Sequence, residues 1–274
     1  MSGINNGTRD VEIGILGSGS RGNAALVRSN GAAFLVDAGL SARQITKRLE
    51  TYGILPQELT AIVLTHEHID HIRSAGTLAR RWNLPIWTNK ATYTASLETI
   101  GKTPEWMEIE VGLPFHIGGI RVEPFSTPHD AADPFGMIFN AEDGRRVGFA
   151  TDMGFVTNLA RQRLQGLQGL VLEFNHDVEM LINGPYPWPI KQRIRGKLGH
   201  LSNEDAAKLL KNIATADFEW LICAHISQEN NENQLILETA RKALNGHERR
   251  NLLSASQDEP TPLVGAGGIA GEIS

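Results

Sequence analysis

One cysteine in 274 residues, Cys223, excludes an internal disulfide framework and makes the cytoplasm the expected compartment. No apolar run is long enough to form a membrane-spanning helix, which needs about 18 or more residues. Positive charge is also short: 26 Lys and Arg against 31 Asp and Glu give a formal net charge of −5. That excludes a protein basic over its whole surface, though not a local basic patch. Residues 1–10 are polar and mostly uncharged, without the basic start and apolar run of a secretion signal. What the chain does have is a 41% apolar fraction, enough for a sizeable core, and nine histidines. Seven of the nine fall inside short motifs; only His116 and His247 stand apart.

Short β-branched runs alternate with helical stretches. Residues 11–16, 33–36, 61–65, 86–87, 120–125, 135–140, 147–151, 167–174 and 220–224 read as strands. Asp143-Gly144 marks a turn between two of them. Helices are expected over 42–51 with Ser41 as cap, 69–82, 203–214 opened by Ser202, and 231–244. The pattern suggests two sheets packed face to face with helices on both outer sides. One domain is expected over residues 10–250. The stretch 254–274, rich in Gly, Ser, Pro and Ala, reads as a disordered tail.

The strongest chemical signal is Thr65-His66-Glu67-His68-Ile69-Asp70-His71. A strand ends at Thr65, and His66 and His68, two apart, can point the same way from an extended segment. Asp70 and His71 open the next helix. Imidazole and carboxylate suit zinc, manganese and iron, and two histidines on one side with an Asp-His pair on the other can serve two ions.

This segment matches the signature of the metallo-β-lactamase superfamily, and the remaining motifs follow in the superfamily's order. They are Ser126-Thr127-Pro128-His129, Ala150-Thr151-Asp152 and Ala224-His225-Ile226-Ser227, with Leu35-Val36-Asp37-Ala38-Gly39 upstream. The resemblance implies an αββα sandwich of two mixed sheets flanked by helices. It also implies that His66, His68 and His129 hold one divalent ion, Zn²⁺ or Mn²⁺, that Asp70, His71 and His225 hold a second, and that Asp152 bridges both. Asp37 is expected to orient a ligand histidine through its free ring nitrogen. Two ions about 3.5–4 Å apart suit in-line attack on phosphorus by a shared hydroxide, with Asp70 among the catalytic groups. The oxygen ligand Asp152, where β-lactamases often carry a thiolate, suits phosphate chemistry.

Gly199-His200-Leu201-Ser202 resembles the histidine segment of ribonuclease Z-like enzymes, and Glu173 sits where those enzymes place its carboxylate partner. His200 is therefore expected to act as general acid on the leaving oxygen, with Glu173 supporting its charged form. Longer segments resemble the YycJ/WalJ family: Gly17-Ser18-Gly19-Ser20-Arg21-Gly22-Asn23-Ala24, residues 129–136, 175–181, 184–188 and 226–231. That resemblance implies 5′→3′ exonuclease activity on DNA. Lys191, Arg193, Arg195 and Lys197 place four cations in seven residues beside His200, a run that can hold a phosphate backbone. Ser18, Ser20 and Asn23 can present polar groups to phosphate, and His176 can line the cleft. The expected partner is nucleic acid, DNA favoured over RNA, with no membrane and the oligomeric state left open. The alternatives are a small-molecule phosphodiesterase or RNA-processing nuclease of the same fold, then a thioester or lactam hydrolase, then a non-catalytic metal-binding regulator.

Overall fold

The computed structural model describes residues 10–29, 31–244, 251–265 and 268–269. In chain order the strands are β1 (Glu12–Gly17), β2 (Ala24–Ser29), β3 (Ala32–Val36), β4 (Ala61–Val63), β5 (Ile86–Thr88), β6 (Trp106–Glu108), β7 (Phe115–Ile117), β8 (Ile120–Ser126), β9 (Phe135–Asn140), β10 (Arg146–Ala150), β11 (Gly169–Glu173), β12 (Trp220–Ala224), β13 (Asn251–Ser254), β14 (Val264–Gly265) and β15 (Gly268–Ile269). The helices are α1 (Ala42–Glu50), α2 (Ile69–Ile72), α3 (Ala75–Trp82), α4 (Lys90–Ile100), α5 (Asn158–Arg163), α6 (Val178–Asn183), α7 (Trp188–Ile194), α8 (Asn203–Ile213) and α9 (Asn233–Leu244).

The strands form two mixed sheets, ordered β15-β14-β1-β2-β3-β4-β5-β6 and β13-β12-β11-β10-β9-β8-β7. In the first, β3 to β6 are parallel; in the second, β10 to β13 are parallel. Parallel strands buried on both faces carry near-continuous apolar runs. In β11, Val171 enters the core between the sheets while Leu170 and Leu172 enter a second core under α8 and α9. On the other sheet Leu35 and Ile62 pack toward Ile45 of α1 and Leu78 of α3. Helices thus cover both outer faces. Cys223 belongs to the α8/α9 core, and burial pushes its thiol up. Among the described residues no helix is long and apolar enough to cross a membrane.

Three expectations change. The helix expected over 69–82 is two, α2 and α3. Its inner carbonyls are engaged by neighbouring loops: Asn23 N–H donates to Asp70 O at 2.7 Å and Ala38 N–H to His71 O at 2.6 Å, while Ser74 N–H turns to Ala38 O. Second, the stretch between residues 174 and 203, for which no helix or strand is expected from sequence, contains the short helices α6 and α7, and α4 and β2 were not anticipated either. Third, residues 254–265 do not form a tail. The buried Arg48 guanidinium donates to Gln257 O and Asp258 O, Tyr52 Oη–H donates to Thr261 O at 2.6 Å, and Val264 pairs with Ile13. Composition alone conceals this because each of these three partners, Arg48, Tyr52 and Ile13, lies more than 200 positions away. Residues 266–267 and 270–274 of that stretch, together with His247, lie outside the described residues.

Candidate metal centre

The parallel strands end at one edge of the sandwich, and the chemistry-bearing residues sit just past those ends. Asp37 follows β3, His66 lies just beyond β4, Asp152 follows β10, His225 follows β12, and Glu173 closes β11. His129 comes from the loop after β8, which runs parallel to β10 because both are antiparallel to β9. Asp37, Asp152 and His225 have φ of 60°, 57° and 53°. Left-handed backbone is costly away from glycine, and such strain gathers at functional sites. The fourth such non-glycine residue described, Asn83, is the C-cap of α3.

The histidines are oriented by identifiable partners. His71 Nδ1 lies 2.8 Å from Asp37 Oδ2, which can only accept, so Nδ1 carries a proton and Nε2 is the nitrogen turned to the centre. Thr65 Oγ1–H donates to the same carboxylate and stands 3.0 Å from His66 Nδ1. Asp37 therefore braces two histidines, one directly and one through Thr65. His129 Nδ1 is held by Gly199 O at 3.0 Å, and His225 Nδ1 by Glu173 Oε1 at 3.2 Å. His68 is reversed: its Nε2 contacts Asp130 O, and its Nδ1 lies 3.3 Å from His129 Nε2.

These orientations gather the ligand atoms into groups within 4.8 Å of one another: His66, His68 and His129; Asp70, His71 and His225; between them, His66, His71 and Asp152; and Asp152, Glu173, His200 and His225. Asp152 Oδ1 is 3.1 Å from His225 Nε2 and 3.8 Å from His129 Nε2, and its Oδ2 is 3.5 Å from His71 Nε2. Three atoms facing this space, His66 Nε2, Asp152 Oδ2 and His225 Nε2, are buried without a hydrogen-bond partner. Buried polar atoms are normally satisfied. Divalent cations in this space would satisfy them, so the residues fit metal binding on their own chemistry.

Electrostatics agree. Burial opposes charge on His225, but Asp152, Asp70 and Glu173 outweigh it and push its pKa up to about 10. His71 is likewise raised well above its ordinary value, burial being outweighed by Asp152, Asp37 and Asp70. His66 and His129 are lowered, chiefly by burial. In the metal-free protein the raised pair contributes stability that is full below the ordinary histidine value of about 6.5 and lost as pH climbs through about 10. The lowered pair acts only below that window. The chelated protein should therefore melt at progressively lower temperature from pH 6.5 to 10, while the metal-loaded protein should not, because metal replaces those protons. Parallel flat profiles would contradict this pairing.

A model of the beta-lactamase superfamily domain matches residues 33–226. The exodeoxyribonuclease YycJ of Bacillus anthracis is 37% identical over 227 residues, covering 82% of this chain and 86% of its own. The exodeoxyribonuclease WalJ of Streptococcus pneumoniae serotype 2 (strain D39 / NCTC 7466) is 35% identical over 259 residues, covering 91% and 96%. The chain belongs to the metallo-β-lactamase superfamily, in its YycJ/WalJ family. The fold alone is also shared with YhfI of Bacillus subtilis, a metallo-β-lactamase fold protein with a TM-score of 0.72 at 16% identity, over 92% of this chain and 99% of that one.

Around the ligands of this metallo-β-lactamase domain, other expected residues take varied places. Glu173 is fully buried; its Oε1 lies 2.7 Å from His200 Nδ1, and its Oε2 accepts N–H from Met153 at 2.9 Å and Leu201 at 3.2 Å. Burial opposes its charge, but His200 and the bonds from His200 and His225 hold its pKa at about 2. Ser18 and Asn23, expected at phosphate, face inward instead. Ser18 Oγ accepts His225 N–H at 2.6 Å, and Asn23 Nδ2 donates to Asp70 Oδ2 at 3.1 Å. Ser20 stays exposed. His176 is buried at the start of α8, its carbonyl accepting Asn203 N–H, and burial lowers its pKa to about 4; it does not line an open cleft. Lys191 is buried in α7, donating to Ile182 O and Gly184 O, so it is no free phosphate contact. Arg193 is exposed and paired to Asp130 at 2.7 Å. Arg195 and Lys197 are exposed and, among the described residues, form no ion pair. Asn175, which sequence reasoning passed over, donates to His225 O at 2.8 Å.

Proposed function

We propose that this chain is a metal-dependent exonuclease that hydrolyses phosphodiesters from the 5′ end of DNA, using two divalent ions. The observation that carries this reading is the set of six ligand-type side chains around Asp152, with buried, unpartnered atoms aimed at one space. The substrate class is carried over from two relatives, both named exodeoxyribonucleases. His66, His68 and His129 would hold one ion, Asp70, His71 and His225 the other, and Asp152 both. Bound ions of the Zn²⁺ or Mn²⁺ type would supply Lewis acidity to the phosphate and activate water near neutral pH.

The chain's own residues do the rest. Asp37, Thr65 and Glu173 fix ring orientations, so no reorganisation is needed when substrate arrives. His200, held through Nδ1 by Glu173, keeps Nε2 for the leaving sugar oxygen and hands it a proton as the P–O bond breaks. Arg195 and Lys197 meet backbone phosphates. A single buried cysteine suits a reducing cytoplasm.

The test uses DNA and RNA labelled at either end, with protein chelated or reloaded with Mn²⁺ or Zn²⁺, alongside elemental analysis. Stepwise shortening of DNA from its 5′ end, abolished by chelation, at two ions per chain is expected. Cleavage confined to RNA or to small cyclic diesters would replace the substrate assignment. One ion held only by histidines would remove the two-ion mechanism.

A further inference from the structure

The loop between β1 and β2 grips one half of the centre and leaves the other alone. Asn23 Oδ1 accepts Gly19 N–H at 2.9 Å, which settles which end of the amide is the donor. Its Nδ2 donates to Gly19 O at 3.2 Å and Asp70 Oδ2 at 3.1 Å, and stands 3.1 Å from His71 Nε2. A carboxylate oxygen accepts more than one bond, so the amide orients Asp70 without using it up. Asn23 N–H also donates to Asp70 O at 2.7 Å. Ser18 Oγ–H donates to Asn23 Oδ1 at 3.3 Å, while the same oxygen accepts His225 N–H at 2.6 Å. One loop thus touches Asp70, His71 and His225. The other three histidines are held elsewhere: His66 by Thr65, His68 by Asp130 O and His129 by Gly199 O.

The loop is itself held by the far end of the chain. The buried Gln257 accepts Arg21 N–H on Oε1 at 2.9 Å and donates from Nε2 to Gly22 O at 2.8 Å. Ser18 N–H donates to Ser256 O at 2.9 Å, and Ala255 N–H to Cys223 O at 2.8 Å, two residues before His225. The Arg48 guanidinium joins the two segments, donating to Leu16 O at 2.6 Å and to Gln257 O and Asp258 O. On its other side the loop presses on backbone: a Cβ on Gly22 would stand 2.6 Å from Gly39 O, an approach only glycine permits. Residues 255–258 therefore lie on the loop as a clasp.

We propose that this clasp sets the affinity of one ion only: Gln257, acting through Ser18 and Asn23, positions the ligand group Asp70, His71 and His225, and leaves the group His66, His68 and His129 to itself. Asn23 and Gln257 are positioning residues. This rests on the two-ion reading above.

The experiment dialyses full-length wild type, Asn23→Ala, Gln257→Ala, the double variant and Tyr52→Phe against graded free Mn²⁺. Elemental analysis counts bound ions, electron paramagnetic resonance follows the spin-coupled signal of an Mn²⁺ pair, and anomalous scattering at partial loading shows which ligand group has emptied. Asn23→Ala keeps the backbone bond to Asp70 O, and Gln257→Ala keeps the carbonyl that Arg48 binds, so both should fold. Asn23→Ala should weaken the ion at Asp70, His71 and His225 roughly 10- to 100-fold, the usual effect of losing a group that orients a ligand. The ion at His66, His68 and His129 should keep its affinity, and the paired signal should give way to that of isolated ions. Gln257→Ala should weaken the same ion about 2- to 10-fold, the size of one hydrogen bond. It should add less in the Asn23→Ala background than alone, because the two act in series. Tyr52→Phe loosens the same segment at Thr261 but removes no bond of Gln257; it should lower the melting temperature and leave both affinities unchanged. Equal weakening of both ions, losses that multiply in the double variant, or an unmoved second ion would overturn the clasp while the two-ion reading stands. A wild type that binds a single ion at every Mn²⁺ concentration would remove the two-ion reading and the clasp with it.

Discussion

Asp152→Asn should lower strand cleavage by about 10³-fold or more, equivalent to at least ~4 kcal/mol of transition-state stabilisation, while the protein stays folded. Removing a group that merely orients a metal ligand costs roughly 10- to 100-fold, whereas Asp152, which stands in two of the candidate ligand groups, is proposed as a ligand itself. Its carboxylate is 3.1 Å from His225 and 3.5 Å from His71, and Oδ2 is left unpartnered. Asparagine keeps the shape and tolerates the left-handed φ of 57°, so the backbone after β10 is not strained by the change. No described hydrogen bond from the Asp152 side chain supports the fold, which is why folding should survive. Elemental analysis should show loss of one or both ions. With its main anionic partner neutralised, His225 should also lose part of its upward shift, flattening the melting profile of the chelated protein above pH 6.5. Near-normal turnover at full metal content would remove Asp152 from the centre.

The parts of the site legible in sequence were those built from neighbours. His66, His68, Asp70 and His71 lie within eight residues of the end of β4, so their convergence follows from local geometry. His129, Asp152 and His225 are isolated in sequence and readable only through their order in a family pattern. The sandwich itself was legible for a similar reason: doubly buried strands such as β11 and β12 are unbroken apolar runs. What stayed hidden depends on distant partners. Nothing near Ser18 or Asn23 shows that one receives His225 N–H and the other holds Asp70; a Gly-Ser loop reads equally well as a phosphate cradle. Segment 254–265 reads as low complexity, yet Gln257 Nε2–H donates to Gly22 O at 2.8 Å and its Oε1 accepts Arg21 N–H, clamping the very loop that carries Ser18 and Asn23. Lys191 counted as a surface cation because its charge is visible in sequence, whereas the carbonyls of Ile182 and Gly184 that consume its donors are not.

His200→Ala should slow cleavage of an oligonucleotide by about 10²- to 10⁴-fold, the usual range for a lost general acid, with a much smaller effect on KM. The ring is locked by Glu173, itself immobilised by four contacts: His200 and His225 on Oε1, and the Met153 and Leu201 amides on Oε2. A carboxylate so fixed gives His200 one orientation and leaves a single nitrogen to meet substrate. Its contribution grows only as the leaving oxygen gains charge, so it appears in kcat rather than in binding. The substrate pair that isolates this role is an oligonucleotide, whose sugar oxygen must be protonated to leave, and an activated aryl phosphodiester, whose phenolate leaves without a proton. The variant should lose most of its rate on the first and far less on the second. Metal content should be largely unchanged: His200 does stand in a fourth group with Asp152, Glu173 and His225, but its Nδ1 is engaged by Glu173 Oε1 at 2.7 Å, and the proposed ions would keep all seven of their ligands. Equal slowing of both substrates would assign His200 instead to holding the phosphate, and a loss of metal would trace the effect to His225, which shares the same Glu173 oxygen.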